Sequence, residues 1–183
     1  MVVRETKETR VVVELRRGGG QLSVSTPVPF LTHMVETLLY YADLEGRVEA
    51  VVLRELDEGH HVIEDVGLAL GMALAELAGD RRSIARYGWA IVPMDEAEAI
   101  VAVDMGGRPF WSVKARFPPV VLGGYPLYMF PHFVRSLASE SKSTIHVRAS
   151  GEDPHHIIEA AHKALGLALK QALTPSNKPV TTK

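Results

Sequence analysis

The chain has 183 residues (20.0 kDa), 46% hydrophobic and 23% charged, ordinary proportions for a globular protein that buries a core as one domain or two small halves. A formal net charge of −2 gives no basic footprint for nucleic acid. The absence of cysteine excludes disulfides, thiolate metal sites and cysteine nucleophiles. Any metal ligands are then nitrogen and oxygen, which suits Mn, Fe, Zn, Co or Ni better than copper(I) or an iron–sulfur cluster. Met1 to Arg10 is charged and lacks the apolar region of a signal peptide. No apolar run approaches the roughly 20 residues of a membrane span, so a cytoplasmic protein is expected.

Thr9 to Leu15 is rich in valine and reads as a strand, turned by Gly18-Gly19-Gly20 into a second strand, Gln21 to Ser25. Pro27 and Pro29 introduce a helix from Phe30 to Asp43, with Leu31, Met34, Leu38 and Leu39 on its apolar side. Arg47 to Leu56 alternates like a half-buried strand, and a helix from His60 closes near Gly79. The second half runs in the same sense. Ala85 to Val92, Ala97 to Asp104 and Phe110 to Phe117 read as strands, Pro126 to Leu137 as a helix and Ser143 to Ala149 as a strand. The last helix runs from Pro154 to Ala172, with Asp153 as N-cap and Pro154 at its first position. From Thr174 the chain is polar and proline-containing, which by composition alone is a frayed end. The fold class is α+β: an internal duplication of a strand-strand-helix-strand-helix unit, each half a sheet with two helices on one face. The halves span 1–84 and 85–183, the latter including the tail 174–183.

The duplication is clearest in His60-His61-Val62-Ile63-Glu64-Asp65, which returns ninety-five residues later as His155-His156-Ile157-Ile158-Glu159-Ala160. Ala69-Leu70-Gly71 likewise matches Ala164-Leu165-Gly166. On a helix, positions i and i+4 share a face while i+1 lies about 100° round. His60 with Glu64, and His155 with Glu159, therefore form two natural chelating pairs. His61 and His156 point to another quarter and need another ion or another chain. His33 and His132 precede the two motifs by 27 and 23 residues and gain weight as ligands from that matched placement. His146 and His162 fall outside the repeat.

With these motifs the chain resembles the imidazoleglycerol-phosphate dehydratase family of histidine biosynthesis, nearly end to end. The resemblance includes Lys7-Glu8-Thr9, Pro29-Phe30-Leu31-Thr32-His33-Met34, Arg86-Tyr87-Gly88, Pro93-Met94-Asp95-Glu96-Ala97 and Gly107-Arg108-Pro109-Phe110. It continues through His132-Phe133, Asp153 to Glu159, Lys163 and Pro175-Ser176-Asn177-Lys178. It implies a metal-dependent dehydratase acting on imidazole glycerol phosphate. Two Mn2+ ions per active site are implied, shared between chains of a homo-oligomeric shell of twenty-four subunits. One ion is implied on His33, His61, His155 and Glu159, the other on His60, Glu64, His132 and His156. Substrate contacts fall on Glu8, Arg86, Arg108, Lys163, Ser176 and Lys178.

The reaction must expel a hydroxyl beside the imidazole ring and remove a poorly acidic carbon-bound proton. Glu8 is one candidate base and a metal-side glutamate, Glu64 or Glu159, another; the sequence leaves this open. Arg86, Arg108 and Lys163 suit a phosphate, for which a guanidinium fork matches two oxygens. Thr32, Thr37, Tyr41, Glu58-Gly59, Asp153 and Pro179 depart from the family pattern, with Thr37 and Tyr41 falling where relatives line the substrate pocket. Two other readings stand beside the dehydratase: a metal-stapled shell with impaired catalysis, and another dimetal enzyme for a small phosphorylated substrate.

Overall fold

The structure, a computed structural model, describes residues 1–54 and 59–177. It contains ten strands and four α-helices among them. The first half runs β1 (Val2–Glu5), β2 (Thr9–Arg17), β3 (Leu22–Ser25), α1 (Pro29–Tyr41), β4 (Leu44–Val52) and α2 (His60–Ala78). The second runs β5 (Tyr87–Met94), β6 (Ala97–Asp104), β7 (Phe110–Lys114), a small hairpin of β8 (Val121–Leu122) and β9 (Tyr125–Pro126), α3 (Phe130–Ser141), β10 (Thr144–Ser150) and α4 (Pro154–Leu173).

The duplication extends to topology. The sheets have the orders β1-β2-β4-β3 and β5-β6-β10-β7, the same arrangement twice. In each, an antiparallel hairpin is extended by a strand that pairs parallel with the sheet's outermost member, β3 with β4 and β7 with β10. A parallel pair needs a crossover, supplied by α1 in one half and α3 in the other. Each sheet carries two helices on one face, and the helical layers meet, α2 against α3 and α1 against α4. The core thus lies between two outer sheets. β6 shows the pattern along a strand: Ala97, Ala99, Val101 and Val103 are buried while Glu98, Ile100 and Ala102 are exposed. In α1, Leu31, Met34, Val35 and Leu38 recur at helical spacing and are fully buried. Among the described residues no helix is long and apolar enough to cross a membrane.

Several boundaries differ from the sequence reading. The charged start forms a strand, β1, because Val2 is buried and the segment pairs with β2 from Val2–Val13 to Glu5–Arg10. The fourth strand begins earlier, at Leu44, and Leu56 lies outside the described residues. Pro126 is not the start of a helix: it pairs with Val121, and a 3-10 turn over Leu127–Met129 leads into α3. The expected strand to Phe117 ends at Lys114. The tail is held as far as Ser176: the Ala85 amide bonds to the Thr174 carbonyl (2.8 Å), Ile84 bridges Pro175, and the Ser176 amide bonds to Ser83 (2.9 Å).

The repeated glycines set how closely the helical layers meet. A Cβ on Gly71 would fall 2.7 Å from the Leu137 carbonyl oxygen, and one on Gly166 would fall 2.4 Å from that of Leu38. Both obstacles are helix backbone, which cannot swing aside. Gly166→Ala and Gly71→Ala are each expected to cost about 1–3 kcal/mol through overpacking, outweighing the gain in helix propensity of about 1 kcal/mol. Thermal or denaturant unfolding of the metal-free variants measures this, and an unchanged midpoint would show that the layers can part at no cost.

Candidate active site

Both His-His motifs open a helix, α2 at His60 and α4 at Pro154. The Asp153 carboxylate accepts the His155 amide (2.8 Å), capping α4 as the sequence predicts. α2 starts differently, from Gly59 at φ +91°, a conformation that favours glycine. The i, i+4 pairs form as expected. His155 Nε2 lies 2.9 Å from Glu159 Oε2, and His60 Nε2 lies 3.7 Å from Glu64 Oε2.

The leading helix of each half adds its histidine. His33, on α1, brings Nε2 to 3.6 Å from Glu159 Oε2, so one ligand atom each from His33, His155 and Glu159 lies within 4.8 Å of the others. In the matching set the His132 ring, on α3, is 5.5 Å from that of His60 between centroids. Two imidazole nitrogens and a carboxylate oxygen suit a divalent transition metal.

The second histidine of each motif is turned away. His61 Nε2 meets Glu8 Oε2 at 3.2 Å, and His156 Nδ1 meets Glu96 Oε2 at 2.8 Å. Each expected four-residue set is therefore gathered only in part within one chain: His61 stands apart from His33, His155 and Glu159, and His156 from His60, Glu64 and His132.

The local charges follow from these contacts. Burial disfavours the Glu159 carboxylate, but the Lys163 ammonium 2.9 Å away and His155 outweigh it, so its pKa lies below the usual value. Glu96 is pulled down to about 2, first by the Asp153 amide and then by His156. Glu96 in turn raises the His156 pKa. Glu96 lies in the Pro93-to-Ala97 motif with no role assigned by the sequence pattern; its place directly before a repeat strand, like that of Glu8, is the signal available there.

The expected substrate residues divide into two groups. Lys163 lies with Glu159, Glu36, Thr37, Tyr40, Tyr41 and Leu22 in the wall of a cleft of about 460 Å³. Thr37 and Tyr41, the departures from the family pattern, thus do line a cavity beside the metal-type cluster. Arg86, Arg108 and Ser176 lie elsewhere. Arg86 holds Asp104 through two bonds of 2.7 and 3.0 Å, with Arg108 3.8 Å from the same carboxylate. The Arg86 amide bonds to the Ala172 carbonyl, near the far end of α4. Ala172 is thirteen residues from Glu159, so the cation group is anchored roughly 20 Å along the helix from that carboxylate. Lys178 and Pro179 lie outside the described residues, as does Glu58.

Residues 26–169 match the family description of imidazoleglycerol-phosphate dehydratase. The chain belongs to the imidazoleglycerol-phosphate dehydratase family. The member from Pyrobaculum arsenaticum is 65% identical over 181 residues, covering 99% of this chain and 97% of that protein. The one from Caldivirga maquilingensis is 51% identical, covering 94% and 90%. The crystal structure of the Pyrococcus furiosus dehydratase in complex with (S)-C348 superposes with a TM-score of 0.83 at 35% identity, covering 99% and 98%. The chain is accordingly an enzyme, a hydro-lyase that dehydrates imidazole glycerol phosphate in histidine biosynthesis.

His162, which lies outside the repeat, is fully buried beside Phe130 and Phe133 and donates from Nδ1 to the Ile158 carbonyl (2.8 Å). Burial pushes its pKa down to about 4 from an ordinary 6.5. Above pH 6.5 the ring is neutral folded or unfolded and contributes no pH dependence. Below it, the unfolded chain takes a proton that the folded chain refuses, so stability falls until about pH 4. The full loss is roughly 3 kcal/mol. In metal-free protein, His162→Leu should flatten the acid side of the unfolding-midpoint profile, and an unchanged slope would assign the acid lability to other groups.

Proposed function

We propose that this dehydratase is metal-dependent, with Mn2+ at two composite sites built from His33, His61, His155 and Glu159 and from His60, Glu64, His132 and His156. The observation that carries the reading is the convergence of His33, His155 and Glu159 while the adjacent His156 faces away. What bound metal supplies there is Lewis acidity toward the imidazole ring and a template for it. The chain's own residues do the rest. Lys163 balances Glu159 and edges the cleft where the substrate enters. Arg86 and Arg108 supply the fork donors for the phosphate, with Ser176 as a neutral donor and Lys178 as a further cation.

Glu8 is the carboxylate we assign to the carbon-bound proton. Both oxygens of Glu159 are engaged, by Lys163 and His155, whereas Glu8 meets the single ring of His61. It stands on a fixed turn: the Thr6 hydroxyl accepts the Glu8 and Thr9 amides, and the Glu8 carbonyl accepts the Leu53 amide at 2.7 Å. Glu8→Gln should lower kcat by about 10²–10⁴-fold with metal content unchanged. A variant with wild-type kcat would move the base to another group.

One separation and one exposed surface support a homo-oligomer, in our reading a shell of twenty-four chains. A substrate whose ring and phosphate are separated by three carbons is far shorter than the roughly 20 Å of α4 between Glu159 and Ala172, where Arg86 is anchored, so in our reading another chain closes the site. Trp89 and Ile91, 65% and 63% exposed on the outer sheet face, offer apolar surface for such neighbours. An enzyme of amino-acid biosynthesis also fits the cytoplasmic location expected from sequence. If each ion crosslinks chains, metal affinity and assembly are linked. Chelation should then yield smaller species by light scattering. An unchanged mass after verified metal removal would refute the crosslinking role.

A further inference from the structure

In each half one glutamate stands directly before the second strand, Glu8 before β2 and Glu96 before β6. Each meets the second histidine of its own half, but through different nitrogens. Glu8 approaches His61 at Nε2, whereas Glu96 approaches His156 at Nδ1, 2.8 Å away. The other oxygen of Glu96 accepts the amides of Glu152 (3.0 Å) and Asp153 (2.7 Å), the residues that lead into α4. One carboxylate thus ties the β5–β6 turn, the start of α4 and the His156 ring together.

We propose that Glu96 is the positioning residue for His156, holding the ring by Nδ1 so that Nε2 is the nitrogen presented to a metal ion. This rests on the metal reading above, since Nε2 has that task only if an ion takes it. An ionised carboxylate only accepts, so the neutral ring must carry its proton on Nδ1 and its lone pair on Nε2. The carboxylate nearest Nε2, that of Asp95, is 3.8 Å away, beyond hydrogen-bond distance. Histidine ligands to metals commonly donate their other nitrogen to a carboxylate in this way, fixing tautomer and orientation together. The duplication has therefore given its two hairpin glutamates separate tasks: Glu8 faces the reaction, and Glu96 works through His156.

Glu96→Gln separates positioning from structural support. Its carbonyl oxygen still accepts the two amides but without the carboxylate's charge, so the metal-free protein should still fold cooperatively, at a midpoint lowered by the loss of the charge-assisted bonds. Its NH2 group turns a donor toward Nδ1, which must then accept, and the ring proton moves to Nε2. Full-length, metal-free protein with nitrogen-labelled histidine, studied by solid-state NMR at alkaline pH, reports the tautomer; a His156→Gln difference spectrum identifies the ring. The expected result is Nδ1–H in the wild type and Nε2–H in Glu96→Gln, with the Mn2+ dissociation constant raised about 10–100-fold in titrations followed by electron paramagnetic resonance. Nε2–H in the wild type would overturn the proposal even if Glu96→Gln failed to fold. So would an unaltered Mn2+ affinity in a variant whose tautomer has switched. A wild type that binds no Mn2+ would instead sink the metal reading, and the tautomer measurement would distinguish that failure from this one.

Discussion

The constraint on which this structure depends is the rotation of about 100° per residue in an α-helix. Two adjacent histidines at a helix start cannot serve one ion together. His155 shares a face with Glu159 and meets it, while His156, one position on, faces Glu96. The same division falls between His60 with Glu64 and His61 with Glu8. A chain that repeats His-His twice therefore offers two inward pairs and two outward histidines. The outward pair finds glutamates of its own chain here, and in the proposed metal sites each set of four takes its outward histidine from a second chain.

Duplication supplied the frame and divergence supplied the roles. Both sheets have the same strand order, and both motif helices use a glycine, Gly71 or Gly166, where a neighbouring helix crosses against their backbone. The polar supports differ. In the first half Asp65 is buried, bonded by Arg4 at 2.7 Å and by the Thr9 hydroxyl, which pins the β1–β2 hairpin to α2 one turn beyond His61. In the second half the corresponding positions are Ala97 and Ala160, and the hairpin is tied instead through Glu96 to the start of α4. A buried carboxylate with two donors is satisfied, but removing one donor would strand charge, so it fixes its hairpin more stringently than alanine contacts do. That stringency falls in the half whose hairpin carries Glu8.

The helices and most strands were legible because period and punctuation agree. Leu31, Met34 and Leu38 mark the buried face of α1, Pro154 and Asp153 mark the start of α4, and the alternation of Ala97 to Asp104 gives β6 to the residue. β1 was obscured by charge, since of its four residues only Val2 is fully buried and Arg4 is polar for the sake of Asp65. The β8–β9 hairpin is two residues a side, too short for periodicity to register. The tail reads as disordered by composition because its order comes from pairing with residues 83–85, ninety positions away in sequence. The i, i+4 site pairs were visible from spacing alone. Glu96 was not, because its importance lies in which nitrogen it touches.

The division of cations follows the same logic on a larger scale. Arg86 has φ +72°, outside the regions ordinary side chains favour, and its guanidinium is fixed in a fork on Asp104 with its pKa raised by that bond. A strained backbone and a two-point contact hold the group in place, so in the proposed phosphate role it has little conformational freedom left to lose. Asp104 also cancels much of the charge that a phosphate would meet. Arg108, its side chain 79% exposed and only 3.8 Å from the same carboxylate, then supplies the net positive charge. A fixed fork and an exposed cation lie at one end of α4 and a carboxylate–imidazole cluster at the other, the two chemistries that the proposed site needs for a phosphate and a ring. The length of α4 keeps the two ends apart in one chain, and on the proposed reading association becomes a condition of the chemistry rather than an addition to it.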